Sequence, residues 1–117
     1  MLYVVDDDVS ICKAATRLLK SAGIPVQAYT SAEEFLQCCR PTAADCLLLD
    51  VQMPGMNGLE LQRQLRRTGI QVPVIFITAF DDKLTREAAR SSGAAGYFRK
   101  PFDDQALIDA IKFTTIL

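Results

Sequence analysis

Three groups of residues in this 117-residue chain are of the right type to do chemistry together. Asp6-Asp7-Asp8 ends the apolar run Met1 to Val5, and Asp50 closes Cys46-Leu47-Leu48-Leu49 with a carboxylate. Lys100 stands before Pro101, just after a short strand-like segment. Carboxylates gathered within a few ångström repel, and one takes up a proton unless a cation lies among them. A pocket of oxygen ligands suits Mg²⁺, which keeps several waters and takes one or two carboxylates plus a phosphate oxygen. That leaves Asp50 as a nucleophile that can attack phosphorus and form an acyl phosphate. The rest of such a transfer is positioning and charge neutralisation. Lys100 can hold one phosphoryl oxygen as a point charge, and Thr78 can donate its hydroxyl to another. Taken singly, each acid has a plain alternative as a solvated loop residue, and Asp8 as a helix cap. Taken together with Lys100, they are hard to explain as packing.

Such a site needs elements that bring distant residues to one edge. Apolar runs of strand length alternate with stretches of helical period, the signature of repeated βα units and a parallel sheet. Strands are expected at 2–6, 25–29, 45–50, 72–78 and 96–98, and helices at about 9–22, 31–39, 58–67, 82–91 and 104–114. Ile11, Ala15, Leu18, Leu19 and Ala22 share one face of the first helix. Gly23 ends that helix and Pro25 blocks its return. Ser31 and Glu34 have the spacing of a capping box. Pro54 cannot continue a central strand, so the chain turns outward after Asp50. Gly55 and Gly58 are expected to permit positive φ in that turn. Val72 to Thr78, nearly all β-branched or aromatic, reads as a strand buried on both faces. Asp103 can cap the last helix, with Leu107, Ile108 and Ile111 inward. The expected fold is a (βα)5, doubly wound α/β protein, a flavodoxin-like three-layer sandwich on a five-stranded parallel sheet. Strand order 2-1-3-4-5 places strands one and three side by side, which gathers Asp6, Asp7 and Asp50 at the edge where open α/β sheets bind ligands.

Composition bounds the rest. Half of the residues are apolar and 23% charged, normal for one globular domain. The net charge of −1 offers no basic stripe for nucleic acid, and no apolar run reaches the ~20 residues of a membrane span. The start carries acid at once, unlike a secretory signal. Cys12, Cys38, Cys39 and Cys46 form no Cys-x-x-Cys pair and are expected to be small hydrophobes in a reducing cytoplasm. With no histidine, Ser-His-Asp and Cys-His catalysis are excluded. Any histidine-borne phosphoryl group must come from another protein.

Four segments in order resemble the receiver domain of bacterial two-component response regulators. They are Val5-Asp6-Asp7-Asp8, Leu49 to Gly58, Ile77-Thr78-Ala79 and Gly93 to Phe102. The resemblance covers essentially all of residues 1–117. It implies phosphorylation of Asp50 by the phosphohistidine of a sensor histidine kinase. It implies Mg²⁺ held directly by Asp7 and Asp50, by Asp6 mainly through water, and by the backbone carbonyl of Gln52. It also implies a Lys100 contact to the phosphoryl group, a cis Lys100–Pro101 bond and a switch in which Thr78 moves toward the phosphoryl group while Tyr97 swings inward. The protein would assist its own phosphorylation and dephosphorylation without being a true enzyme. Gln52 and Phe80 flank the path of water to the phosphoryl group, and neither is a strong general base. Phe102 to Leu107 is most similar to FixJ/LuxR-type regulators, whose receiver precedes a DNA-binding domain. The chain is then either a single-domain receiver or one whose output domain lies outside it. Lys83, Arg86 and Arg90 facing Asp104 and Asp109 suggest a phosphorylation-dependent homodimer.

Other readings fit less well. A haloacid-dehalogenase-like phosphatase also uses an Asp nucleophile and Mg²⁺, but wants Asp-x-Asp after its first strand. A dinucleotide-binding module wants Gly-x-Gly-x-x-Gly there. A degenerate receiver that only binds a partner would not keep Asp6, Asp7, Asp50, Thr78 and Lys100 together.

Overall fold

The computed structural model describes residues 1–115. Five strands alternate with five helices: β1 Leu2–Val5, α1 Val9–Ser21, β2 Val26–Tyr29, α2 Ala32–Cys38, β3 Cys46–Asp50, α3 Gly58–Arg67, β4 Val74–Thr78, α4 Lys83–Ser91, β5 Gly96–Arg99 and α5 Asp104–Thr115. The strands form one parallel sheet in the order β2-β1-β3-β4-β5. This is the expected doubly wound (βα)5, flavodoxin-like sandwich.

The central strands are buried on both faces, and their alternation divides the core in two. Leu2, Val4, Cys46, Leu48, Ile75 and Ile77 pack with Cys12, Ala15 and Leu19 of α1 and Leu107, Ile108 and Ile111 of α5. Val5, Leu47, Leu49, Val74 and Phe76 pack on the other side with Phe35 of α2, Leu61 and Leu65 of α3 and Ala89 of α4. Every residue of β3 and β4 is buried. Both strands therefore read as continuous apolar runs up to the polar residue that ends each of them.

Local signals place the helices. Asp8 caps α1, its carboxylate accepting from the amides of Ser10 and Ile11. Asp103 accepts from Ala106 at the start of α5. Gly23 leaves α1 at φ 78°. Several expectations need correction. Asp6 lies just past β1, although its amide still donates to the Tyr29 carbonyl. β4 begins at Val74, because Pro73 has no amide hydrogen and offers the ladder only its carbonyl, to Leu47 N. Ser31 caps α2, but Glu34 reaches the Thr30 amide instead of completing a box. The reciprocal box is at Asn57 and Glu60, opening α3. Gly55 does take φ 72°, whereas Gly58 does not have positive φ. Gly58 serves by having no Cβ, which would collide with the Asp50 carbonyl oxygen. Cys12 and Cys46 are buried, but Cys38 is exposed at the end of α2 and is no core residue.

Candidate functional site

Sheet register assembles the site. Val5 pairs with Leu49, so the next residues, Asp6 and Asp50, emerge side by side at the carboxyl edge. Asp50 pairs with Ile77, putting Thr78 one step further out on the neighbouring strand. Thr78 pairs with Arg99, and the Lys100 amide donates to the Thr78 carbonyl at 2.8 Å. The Lys100–Pro101 bond is cis.

Asp6 is 0% exposed and Asp50 4%, while Asp7 faces solvent. One ligand oxygen from each of Asp6, Asp7 and Asp50 falls within 4.8 Å of the others. Lys100 Nζ reaches into the group, 2.7 Å from Asp6 Oδ2 and 3.6 Å from Asp50 Oδ1. Asp6 Oδ1 is committed to the Asp8 amide at 2.9 Å, and Oδ2 is held by the Lys100 ammonium at 2.7 Å. Burial, then the Asp6 charge, pushes the Asp50 carboxyl up to about 7, against the pull of Lys100. Burial alone would lower the Lys100 ammonium, but the carboxylates of Asp6 and Asp50 raise it on balance. The crowding expected from the sequence thus adds to burial on Asp50.

This donor set fits a small hard cation. Three carboxylates converge, and one is exposed enough to leave room for water. A divalent ion would offset both the burial and the Asp6 charge that raise the Asp50 carboxyl.

Side chains beyond the expected set hold the surrounding loops. Glu33 of α2 accepts from the Met56 amide at 3.0 Å, clamping the loop that follows Asp50. The Cys12 thiol donates to the Asp6 carbonyl. The Thr78 hydroxyl, fully buried, is turned to the Gln52 side-chain oxygen at 2.6 Å and the Phe80 carbonyl at 3.0 Å. Tyr97 is half-buried, and its hydroxyl donates to Asp81, which is also paired with Arg86. Arg86, read from sequence as a charge for a dimer contact, is therefore engaged within its own chain. Glu33 and Asp81 were not expected at the site, and the Gln52 side chain, expected beside the path of water, instead accepts from Thr78. Asp81 carried a signal, being an acid three residues past Thr78 where α4 begins. Glu33 carried none.

The family model described as response regulator receiver domain matches residues 2–112. The chain belongs to that family. This receiver domain is 42% identical over 115 residues to nodulation protein W of Bradyrhizobium diazoefficiens, covering 98% of this chain and 51% of that protein. It is 39% identical over 111 residues to the transcriptional regulatory protein FixJ of Azorhizobium caulinodans, covering 95% of this chain and 53% of that one. A crystal structure of a response regulator receiver protein from Burkholderia phymatum superposes with a TM-score of 0.83 at 48% identity, covering 99% of this chain and 94% of that one. The chain spans about half the length of the curated relatives it matches. Receiver domains are the signalling modules of two-component response regulators. Among the described residues, no helix is long and apolar enough to cross a membrane.

Proposed function

We propose that Asp50 accepts a phosphoryl group from the phosphohistidine of a sensor histidine kinase. The observation that carries this is the convergence of Asp6, Asp7 and Asp50 oxygens within 4.8 Å, with Lys100 Nζ among them, at a buried sheet edge. An Asp50 carboxylate oxygen bonds to phosphorus as the bond from phosphorus to the donor imidazole nitrogen breaks, and the imidazole leaves. Mg²⁺, held by Asp7, Asp50 and the Gln52 carbonyl with Asp6 acting mainly through water, would neutralise charge on the transferring oxygens. Lys100 sits within reach of Asp50 and can turn its ammonium from the carboxylates to a phosphoryl oxygen. Neither Gln52 nor Phe80 is a strong base for activating water on the phosphoryl group.

The signal then leaves through α4, β5 and α5. Thr78 turns toward the phosphoryl group, Tyr97 moves into the space behind it, and the changed face favours a homodimer. The relatives' greater length and their names support a transcriptional role through an output domain outside this chain, acting in the cytoplasm. Nucleic acid would then be contacted by that domain and not by residues 1–117.

Incubation with Mg²⁺ and acetyl phosphate, read by intact mass, tests the reading. One stable phosphoryl adduct on the wild type and none on Asp50→Asn is the expected result. Equal adducts on both would place the nucleophile elsewhere. Multiple turnover of phosphomonoesters would favour the phosphatase reading.

A further inference from the structure

The hydroxyl of Thr78 carries one proton, and two acceptors lie within reach of it. Gln52 Oε1 is at 2.6 Å and the Phe80 carbonyl at 3.0 Å, while the same hydroxyl oxygen accepts from the Phe80 amide at 3.0 Å. The shorter contact is the one to Gln52. It joins residues 26 apart in sequence and ties the loop after Asp50 to the end of β4. Thr78 is 0% exposed, so solvent cannot readily replace a lost partner. A phosphoryl oxygen on Asp50 and the amide oxygen of Gln52 cannot both take this proton.

We propose that Gln52 is a positioning residue whose side chain holds the Thr78 hydroxyl, so that a phosphoryl group on Asp50 must win that proton from the Gln52 amide before the threonine can turn. Gln52 thereby sets how much of the phosphoryl group's binding energy is used in turning Thr78. This role belongs to the side chain and is separate from the backbone carbonyl proposed above as a metal ligand. It rests on the reading of Asp50 as phosphoacceptor and Thr78 as its partner.

Beryllofluoride, a tetrahedral mimic of the phosphoryl group on a carboxylate, tests this when titrated at saturating Mg²⁺ and followed through the amide signals of residues 78 and 100. Gln52→Met keeps an unbranched chain of similar length but removes the strong acceptor. It should bind the mimic roughly two- to tenfold tighter than wild type, the factor for losing one competing hydrogen bond. In a Thr78→Ala background the same substitution should change the affinity less than about twofold, because no hydroxyl remains to be held. Gln52→Ala should act in the same direction, which keeps the test open if the methionine variant folds poorly. Equal affinities of wild type and both Gln52 variants would overturn the proposal while leaving Asp50 as the acceptor. So would an equal gain in the Thr78→Ala background. Mimic binding that is absent, or unchanged in Asp50→Asn, would overturn the underlying reading and the proposal with it.

Discussion

β3 and β4 contrast sharply with α4 and β5. All ten residues of the two central strands are buried. α4 buries only Ala89, and β5 has no residue in the fully buried class. The first pair carries Asp50 and Thr78 at its ends, and the second carries Tyr97 and the surface that would report on them. Regions with few buried apolar groups open and rearrange at the lowest free-energy cost. In the proposed function, the chemistry that needs ångström placement falls on the more buried pair and the readout on the less buried one. The two pairs are joined directly by the β4–β5 ladder, while Thr78 to Gln52 and Phe80, and Tyr97 to Asp81, tie each to the loops beside it.

The largest expected effect measures that contrast directly. Phe76→Ala, in the middle of β4, should cost about 3–5 kcal/mol in urea unfolding. Leu84→Ala, on an α4 side chain that is 80% exposed, should stay within about 0.5 kcal/mol. Comparable losses would show that α4 is anchored as firmly as the strands. Metal should act on the more buried half. Mg²⁺ should raise the melting temperature with concentration, and Asp7→Asn should remove most of that rise. A mutant that still climbs like wild type would take Asp7 out of the ligand set.

Protons should act there too. The Asp50 carboxyl is raised in the fold from 3.8 to about 7, so between those values the folded chain holds a proton that the unfolded chain releases. Stability therefore falls as pH rises through this window and is lowest, for this group, above it. Metal-free wild type should melt higher at about pH 5.5 than at about pH 8. Asp50→Asn should flatten the dependence, and saturating Mg²⁺ should suppress it. An unchanged slope in Asp50→Asn would assign it to another group. The smallest effect belongs to the less buried half. Tyr97→Phe removes the bond to Asp81 and should cost about 0.5–1.5 kcal/mol or less in the same urea experiment. A larger loss would make that link part of the structural frame.

The frame was readable because it is written in local patterns. Leu47 to Asp50 and Val74 to Thr78 announce buried strands by unbroken apolar content, and each ends where a polar residue must meet the edge. Parallel βα order then sets Asp6 beside Asp50. Pro73 moved the start of β4 because one missing amide outweighs the β-propensity of Val72. Gly58 was misread because a glycine needed for close approach looks, in sequence, like a glycine needed for positive φ. The links that tune the site were illegible for a different reason. Gln52 to Thr78, Glu33 to Met56 and Tyr97 to Asp81 span 26, 23 and 16 residues. Each depends on side-chain reach in the folded state and leaves no periodicity behind.

In the proposed function, Thr78 couples a phosphoryl group on Asp50 to α4 and β5. Amide hydrogen exchange of wild type and Thr78→Ala, each with and without phosphorylation at Asp50 verified by mass, tests it most directly. Phosphorylated wild type should change protection across 83–91 and 96–99 while β1 and β3 stay as they were, and phosphorylated Thr78→Ala should show little change in either segment. Equal changes in both proteins, or changes confined to the strands, would show that Thr78 does not carry the coupling.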